Sequence, residues 1–347
     1  MAVEGKYPEH ATRLQVRQVT YQAEGINSYE LVHPDGDDLP AFEAGAHIDF
    51  FFRDGSVRQY SLCNDPTERD RYLIAVLREV NGRGGSEGLH ERVHPQRQVF
   101  VGTPRNNFPL DESAERYLLL AGGIGVTPMM AMIVRLQALG SAYTLHYCAK
   151  SPRHAAFRRE LIPFIKSEHV QMHYDGGDPR RGLDIEALLK DHEPGTQLYY
   201  CGPPGFMNAV RRHASHWPEE SVHCEYFSAE ASPRSKLTEV EFDSVADGTV
   251  GIGFQVQIAS TGAVFSVPND KSIVQVLAEN GINIEVSCQS GLCGTCVTRY
   301  IEGNVDHHDL ILDANKQKEW LNSQNEGMAS SSPPRGRLLA MAGRRVR

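Results

Sequence analysis

Short stretches in which apolar and polar residues alternate fill the first third of the chain. Between Arg13 and about Val101 they read LQVRQVT, SYELVHP, AHIDFFF, QYSLC, YLIAVLRE and RQVFVG, and clusters of Gly, Pro, Asn and Asp separate them. Alternation with a period of two is typical of half-buried strands, and frequent turn residues favour antiparallel pairing. We therefore predict an antiparallel barrel or sandwich over residues 1–112, of which the barrel is our expectation.

The pattern changes near Arg116. Buried strands RYLLLAGG, YTLHYCAK, VQMHYD and QLYYCG now alternate with the helical stretches TPMMAMIVRLQALG, AAFRRELIPFI and LDIEALLKD. Strands that alternate with helices of this length form a parallel sheet covered on both faces. The sequence predicts an α/β domain over residues 113–227, and Gly140 is expected to end its first helix.

A third unit follows a polar segment without periodicity, residues 228–253, which we interpret as a linker. From Phe254 the order is strand FQVQIA, a turn, strand AVFSV, helix SIVQVLAENG, a cysteine-rich loop and strand VTRYIEG. This order is typical of an α+β domain of the β-grasp type, predicted over residues 254–347. The expected fold class is multi-domain, with an antiparallel β-barrel, an α/β parallel-sheet domain and an α+β β-grasp domain.

Composition and charge exclude several classes of function. With 40% hydrophobic and 23% charged residues over 347 positions, the chain is ordinary globular protein of two or three domains. No apolar run has membrane-spanning length, and a net charge of −9 without a basic stripe argues against a nucleic-acid partner. Seven cysteines and a start, MAVEGKYPEH, without a readable signal peptide indicate a reducing compartment, so we expect a cytoplasmic protein.

Three cysteines in CQSGLCGTC form the pattern C-x4-C-x2-C: Cys288, Cys293 and Cys296. This is the plant-type [2Fe–2S] ligand run, which a distant fourth cysteine completes, and the intervening glycines let the loop direct N–H groups at the sulfurs. No cysteine follows Cys296, so the fourth ligand is unidentified. A zinc site that recruits His307 or His308 is the alternative, but the β-grasp order favours iron–sulfur.

Two motifs of the first domain together predict a flavin site. RQYSL, residues 58–62, is followed by NGRGGSEG, residues 81–88. Tyr60 offers an aromatic wall and Ser61 a hydroxyl near N5. The glycines let backbone N–H groups turn toward the flavin phosphate, in a cradle made of Arg83, Gly84, Gly85 and Ser86. Either motif alone is equally typical of a strand edge or a Gly-rich hairpin.

Two motifs of the second domain predict a dinucleotide site. AGGIGVTPM places three glycines between a buried strand and a helix, where a pyrophosphate binds: Gly122, Gly123 and Gly125. It departs from G-x-G-x-x-G, because Pro128 follows Thr127 where the third glycine would fall. CGPPGFM, which begins at Cys201, follows another strand and precedes a helix. The pair of motifs favours a nucleotide site over a generic turn and a structural thiol.

In these motifs and their order the chain resembles the phthalate dioxygenase reductase family of the ferredoxin-reductase superfamily, over nearly all of residues 10–326. The resemblance implies a flavin barrel, a nicotinamide domain and a C-terminal plant-type ferredoxin, with FMN rather than FAD. It places Arg58, Tyr60, Ser61, Leu62, Ala75 and Val76 at the flavin, and Arg83 to Ser86 at its phosphate.

The resemblance also implies the nicotinamide contacts. Cys201 would lie close to the ring carbon that donates hydride, and Phe227 falls where the family has an aromatic residue near the flavin. The remaining implied contacts are Gly122, Gly123, Gly125, Thr127, Pro128, Gly202, Pro203 and Met207. The family prefers NADH, which we expect here, but Lys150, Ser151 and Arg153 follow the second strand without an acid and leave NADPH open.

The C-terminal end differs from the family. Plant-type ferredoxins have their fourth cysteine roughly thirty residues after the third, where this chain reads LNSQNEGMASSSPPRGRLL. No alternating strand pattern is seen beyond Gly327. We interpret this end as out of register with its relatives, through a frameshift or divergence. Either a serine among Ser330 to Ser332 ligates the cluster, or the cluster is labile or absent.

The predicted function is an NADH-dependent oxidoreductase, the reductase component of a multi-component, Rieske-type aromatic-ring oxygenase or demethylase. Ser61 and Cys201 are the predicted catalytic residues. The terminal oxygenase would be a separate partner, and the nine acidic and four basic residues of segment 254–326 suit docking to a basic patch. The alternatives are an NAD(P)H–flavin diaphorase with a defective cluster, or a binding module that lost the relay.

Overall fold

A computed structural model shows two compact units, Met1–Phe227 and Ser228–Arg347. The structure describes residues 7–80, 82, 84–227, 254–268, 271–282, 284, 296–302, 305–306, 316–323, 327–328 and 338–341. The predicted linker, 228–253, lies outside them. The predicted boundary near residue 112 falls inside the first unit and stays a prediction. No helix in the described ranges combines the length and the apolar character needed to cross a bilayer.

The first unit begins with a six-stranded antiparallel sheet in the order β4-β3-β6-β1-β2-β5. Its two end strands contact each other, and beyond β4 the N–H of Cys63 donates to the carbonyl of Leu73 at 2.8 Å, which closes the sheet. The strands are β1 Thr12–Ala23, β2 Ile26–Val32, β3 His47–Phe51, β4 Val57–Ser61, β5 Tyr72–Leu77 and β6 Gln98–Val101. The predicted antiparallel barrel is confirmed.

A short helix, α1 (Gly85–Arg92), lies between β5 and β6. The sequence did not predict it, because three of its flanking and internal residues are glycines, which are poor helix formers. Gly84 precedes the helix with a φ of 77°, and Leu89 is fully buried in the barrel core. Tertiary packing therefore stabilises a helix that local propensity disfavours.

The first unit continues with a parallel sheet in the order β11-β10-β7-β8-β9. The elements are β7 Arg116–Gly122, α2 Val126–Leu139, β8 Ala142–Ala149, α3 Arg158–Lys166, β9 Val170–Tyr174, α4 Ile185–Leu189, β10 Thr196–Cys201, α5 Pro204–His213 and β11 Val222–Glu225. This confirms the predicted α/β fold. As expected, Gly140 ends α2, with a φ of 69° that a glycine adopts without strain.

One hydrophobic cluster joins the barrel to the parallel sheet. Cys63 and Ala75 on the barrel side belong to the same buried cluster as Ala121 and Cys201 at the ends of β7 and β10. Alternate residues of the sheet point the other way, into a second cluster with α4 and α5. The carboxyl ends of the central strands therefore lie against the barrel, where open α/β sheets bind their ligands.

The second unit contains a five-stranded sheet in the order β13-β12-β18-β14-β16 and a two-stranded sheet of β15 and β17. Ser272 and Gln275 form a capping box at the start of its helix. The elements are β12 Phe254–Ile258, β13 Val264–Val267, α6 Ile273–Glu279, β14 Val297–Glu302, β15 Val305–Asp306, β16 Trp320–Asn322, β17 Gly327–Met328 and β18 Leu338–Met341. The predicted strand–turn–strand–helix order is confirmed.

The expectation that no strand follows Gly327 is wrong. Leu338–Met341 forms β18, which pairs in parallel with β12 and antiparallel with β14. A strand with neighbours on both sides reads as a short continuous apolar run, here LLAM, and not as an alternation. The Ser- and Pro-rich residues that precede LLAM made this strand difficult to recognise from the sequence.

Candidate active site

Arg58 and the start of α1 form a candidate anion site. A Cβ atom on Gly85 would lie 2.7 Å from Cγ and Nε of Arg58, so the arginine stem packs directly on the first residue of the helix. Its Nη1 donates to the carbonyl of Val57 at 2.8 Å. A helix N-terminus carries partial positive charge, which the guanidinium reinforces. Ser86 Oγ accepts the Glu79 N–H at 3.0 Å, and Arg83 lies outside the described residues.

Ser61 carries a buried hydroxyl that lacks a hydrogen-bond partner in the described structure. The residue is 4% exposed and ends β4. Leaving such a group unsatisfied is costly, so a ligand that accepts or donates there is favoured. A polar flavin atom bound next to the Ser61 hydroxyl would satisfy it, in agreement with the predicted flavin contact.

The other predicted flavin residues divide between two faces of the barrel. Leu62 and Val76 are buried in the barrel interior, whereas Ala75 belongs to the cluster that reaches Cys201. Successive residues of a strand point to opposite faces, so Ala75 and Val76 cannot both present side chains to one ring. Tyr60 is half-buried and edge-on to Phe50, and burial raises the pKa of its phenol, which stays protonated.

The two glycine motifs of the α/β domain meet backbone to backbone. A Cβ on Gly125 would lie 2.2 Å from the carbonyl oxygen of Cys201, and one on Gly202 would lie 3.0 Å from Cα of Gly122. A Cβ on Gly122 would lie 2.8 Å from Cδ of Pro203. These glycines are needed for the close approach of the two loops. Gly123, with a φ of 54° and open space around it, is the one of this group that faces no neighbour.

Three other predicted nucleotide contacts have structural roles. Thr127 is 2% exposed, and its hydroxyl donates to the carbonyl of Ile124 at 2.9 Å, which holds the turn before α2. Pro128 is buried in the first turn of α2. Met207 has no exposed surface and packs in the cluster on the α5 side of the sheet.

Cys201 lies at the end of β10 between two paired strands. Its register partners are Ala121 in β7 and Glu225 in β11. The residue has no exposed surface, and burial raises the pKa of its thiol well above the usual value. A neutral thiol is a poor nucleophile, so Cys201 offers shape and a weak hydrogen bond to a ligand and not covalent chemistry.

Two site residues were missed by sequence reasoning. Glu225 has a side chain that is 15% exposed, burial raises its pKa to about 8, and its Oε2 is buried without a hydrogen-bond partner in the described structure. His47 is 3% exposed, and its Nδ1 lies 3.8 Å from Oε1 of Glu225. The only sequence signals were a lone acid two residues before Phe227 and a histidine at the start of the strand HIDFF. Phe227 itself ends the first unit and is 44% exposed.

An acid does lie beside the residues that follow β8. Asp175, just after β9, donates its N–H to the carbonyl of Ala149, and Gly176 donates to the carbonyl of Lys150 at 2.9 Å. The Asp175 carboxylate accepts the Gly177 N–H at 2.7 Å. Ser151 uses its hydroxyl for the following turn. The sequence expectation of no acid near this position considered only neighbours along the chain.

The cysteine loop is described only at its third cysteine. Cys296 is 3% exposed, and its carbonyl accepts hydrogen bonds from Ser323 N–H at 3.3 Å and from Ser323 Oγ at 2.5 Å. Ser323 is fully buried, so it fixes the backbone at Cys296. Cys288, Cys293, the predicted alternatives His307 and His308, and the predicted serine ligands Ser330 to Ser332 lie outside the described residues.

The barrel, the parallel sheet and the β-grasp unit define a reductase of the ferredoxin-reductase type with an iron–sulfur domain. Residues 119–212 match the oxidoreductase NAD-binding domain family, and residues 256–325 match the 2Fe-2S iron-sulfur cluster binding domain family. The chain belongs to the phthalate dioxygenase reductase family. It is 38% identical over 301 residues to phthalate dioxygenase reductase of Burkholderia cepacia, which covers 86% of this chain and 89% of that protein.

A solved structure and a second relative agree with this assignment. The structure of phthalate dioxygenase reductase covers 96% of this chain and 98% of its own, with a TM-score of 0.67 and 35% identity. The tert-butanol monooxygenase / tert-amyl alcohol desaturase reductase subunit of Aquincola tertiaricarbonis is 59% identical over 318 residues, 91% of this chain and 93% of that protein. The chain is an oxidoreductase and the electron-transfer reductase component of an oxygenase system, as the sequence predicted.

Proposed function

We propose that the chain takes electrons from NADH through FMN and a [2Fe–2S] centre to a separate terminal oxygenase. The observation that carries this proposal is that Ser61 Oγ and Glu225 Oε2 are buried and lack hydrogen-bond partners within the described residues. Glu225 is the register partner of Cys201, where the two glycine loops meet. When bound, the flavin supplies hydride acceptance and release of single electrons, and the protein supplies binding and orientation.

Each residue has a defined task in this proposal. Arg58 and the first turn of α1 bind the FMN phosphate, and Ser61 donates a hydrogen bond at N5. Cys201 and Gly202 form a close-packed wall that fits the nicotinamide ring and excludes water. Below a pH of about 8, Glu225 is protonated and holds a proton at Oε2 beside the reacting groups.

Asp175 supports NADH over NADPH. A carboxylate near the adenosine ribose accepts hydrogen bonds from its hydroxyls, whereas a 2′-phosphate would be repelled. The structure brings Asp175 next to Lys150 through the pairing of β8 and β9. We therefore infer that the basic residues after β8 do not select a 2′-phosphate, and that the domain uses NADH.

Cys288, Cys293 and Cys296 would ligate the cluster, with the backbone of Cys296 held by Ser323. Since no cysteine follows in the chain, a diaphorase that stops at the flavin is the second candidate. Anaerobic purification, reduction with NADH and low-temperature EPR, with iron and acid-labile sulfide assays, decide between them. A rhombic signal with two irons per chain is expected. A flavin-only spectrum without iron would establish the diaphorase.

A reductase does not touch the organic substrate, so an inference about the oxygenase partner rests on similarity to relatives. We infer that the partner oxidises tertiary alcohols, as the name of the 59% identical relative states for its system, and not aromatic rings. The purified chain should sustain tert-butanol-dependent NADH oxidation with the tert-butanol oxygenase component. Equal or better coupling to the phthalate oxygenase component would overturn this inference.

A further inference from the structure

We propose that His47 is a positioning residue for the flavin–nicotinamide site, which orients the Glu225 carboxyl through Oε1 so that Oε2 faces the reacting groups beside Ser61. The inference rests on the proposed function, because it assigns a task at the same site. His47 lies outside the sequence motifs that predicted the flavin and dinucleotide sites.

The strand pairing places His47 between the two unpartnered oxygens. His47 begins β3 and is the antiparallel register partner of Ser61 at the end of β4. Such partners have side chains on the same face of the sheet, with Cβ atoms about 5 Å apart. On its other side, Nδ1 lies 3.8 Å from Oε1 of Glu225. One imidazole therefore lies beside both residues that carry the buried oxygens.

The neighbours of His47 define its tautomer. Gln59 Nε2 donates to Asp49 Oδ1 at 3.1 Å and lies 3.2 Å from Nε2 of His47. An amide nitrogen can only donate, so Nε2 of His47 accepts, and the ring hydrogen is on Nδ1, toward Glu225. Nδ1–H is then directed at Oε1 and would donate to it at hydrogen-bond distance, which leaves Oε2 to carry the carboxyl proton. The 3.8 Å separation is longer than a hydrogen bond, and we expect ligand binding to shorten it.

The backbone of His47 is held in place by its neighbours. The backbone N–H groups of His47 and Arg105 each donate to the other residue's carbonyl at 2.9 Å. Arg105 in turn contacts both carboxylate oxygens of Asp49 at 2.7 Å. These contacts fix the backbone at the start of β3, so a shorter contact between His47 and Glu225 requires movement of the two side chains and not of the strand.

Burial, more than neighbouring charge, keeps the pair neutral. Burial and then the nearby Arg105 lower the pKa of His47 to about 4, while Asp49 opposes that shift. Burial raises the pKa of Glu225 to about 8. Between these values the pair holds one carboxyl proton and carries no net charge. Other titratable or charged groups also act on the pair or on its strand neighbours: Asp49, Arg105, Tyr200, Cys201, Arg211, Cys224 and Tyr226.

A double-mutant cycle on the FMN-loaded full chain tests the proposal, with anaerobic stopped-flow measurement of flavin reduction by NADH. His47→Leu should lower the limiting rate constant about tenfold without changing the Kd for NADH, because a misplaced carboxyl costs rate and not nucleotide binding. His47→Asn should recover most of the rate, since its amide nitrogen occupies the position of Nδ1. In a Glu225→Gln background, His47→Leu should change the rate less than about twofold.

The outcomes separate the hypotheses. An equal loss from His47→Leu in both backgrounds, or no loss in either, would show that His47 does not act through Glu225. If His47→Leu does not retain FMN, the same cycle is measured with His47→Asn alone and combined with Glu225→Gln. A rate below a third of that of the matching parent in both backgrounds overturns the proposal. If the unmodified holoprotein is not reduced by NADH, the proposed function fails and not the role of His47.

Discussion

Cys201 and Glu225 occupy matching register positions in the parallel strands β10 and β11. Burial raises the pKa of both groups, so a neutral thiol and a protonated carboxyl lie side by side at the carboxyl edge of the sheet. This edge is where open α/β sheets bind ligands. Strand pairing, and not proximity along the chain, therefore brings an acid to the predicted nicotinamide position.

The raised pKa of Glu225 makes the stability of the first unit fall with pH. Its proton is bound more tightly in the folded state, from an ordinary value of 4.5 to about 8, so stability is lost as pH rises through that window. His47, lowered from 6.5 to about 4, has the opposite effect below pH 6.5. Between pH 6.5 and 8 the carboxyl of Glu225 alone should lower the unfolding free energy by about 2 kcal/mol. The buried histidines His146, His173 and His223, whose pKa values are lowered, partly offset this drop near pH 6.5.

Urea titrations followed by Trp217 fluorescence measure this drop, because Trp217 lies in the first unit. Glu225→Gln should flatten the dependence between pH 6.5 and 8. The exposed Glu220→Gln serves as the matched control and should leave the slope unchanged. An unchanged slope in Glu225→Gln would contradict the assignment.

Ser61→Ala should change stability and activity in opposite directions. Removing a buried hydroxyl without a partner should stabilise the flavin-free protein by about 1 kcal/mol. Flavin reduction by NADH should slow about tenfold to a hundredfold, because a donor at N5 is lost. Thermal unfolding of the apoprotein and stopped-flow reduction of the holoprotein check the two effects. As a control, substitution of the exposed Ser167 by Ala should neither stabilise the apoprotein nor slow flavin reduction. A Ser61→Ala protein that is stable and fully active would show that Ser61 is not part of the site.

Gly125→Ala should disrupt the junction of the two glycine loops. Its Cβ would lie 2.2 Å from the Cys201 carbonyl oxygen, and both loops are backbone, so neither can yield cheaply. We expect a loss of at least about 2 kcal/mol in unfolding free energy, with weakened NADH binding. Gly205→Ala, at the start of α5 with nothing within 4 Å of the added Cβ, should be neutral or slightly stabilising. Similar melting temperatures for the two variants would contradict the close approach.

Asp175→Ala should reduce the preference for NADH. Without the carboxylate beside Lys150, the 2′-phosphate is no longer repelled, and the ribose loses an acceptor. The ratio of kcat/KM for NADH over NADPH should fall about tenfold in steady-state dye-reduction assays, equivalent to about 1.4 kcal/mol. Exposed Asp191→Ala should keep the wild-type ratio, and an unaltered ratio in Asp175→Ala would place the adenosine elsewhere.

Deletion of residues 338–347 should destabilise the second unit. β18 lies between β12 and β14, so its removal leaves two strands without their common neighbour. We expect faster limited proteolysis of segment 254–337 and lower iron content than in a chain shortened only by residues 342–347. Equal protease resistance of the two truncations would show that β18 is dispensable.

Local patterns of apolar and polar residues predicted most of the fold. Period-two alternation predicted β1 to β6, and alternating strands and helices predicted the parallel sheet, because both signals come from burying one face of an element. α1 was missed since its glycines disfavour a helix, which packing of Leu89 nevertheless stabilises. β18 was missed because an internal strand lacks alternation.

The sequence by itself determined the domain types and the local motifs RQYSL, GGIGVTP, CGPPG and the cysteine run. The motifs are recognisable because a binding turn or loop is built from residues that are adjacent in the chain. Only the tertiary structure decided which distant side chains join them. His47, Glu225 and Asp175 each lie in or after a strand whose neighbour is set by sheet order and register. Strand pairing depends on contacts between segments far apart in the chain, which no window of the sequence contains.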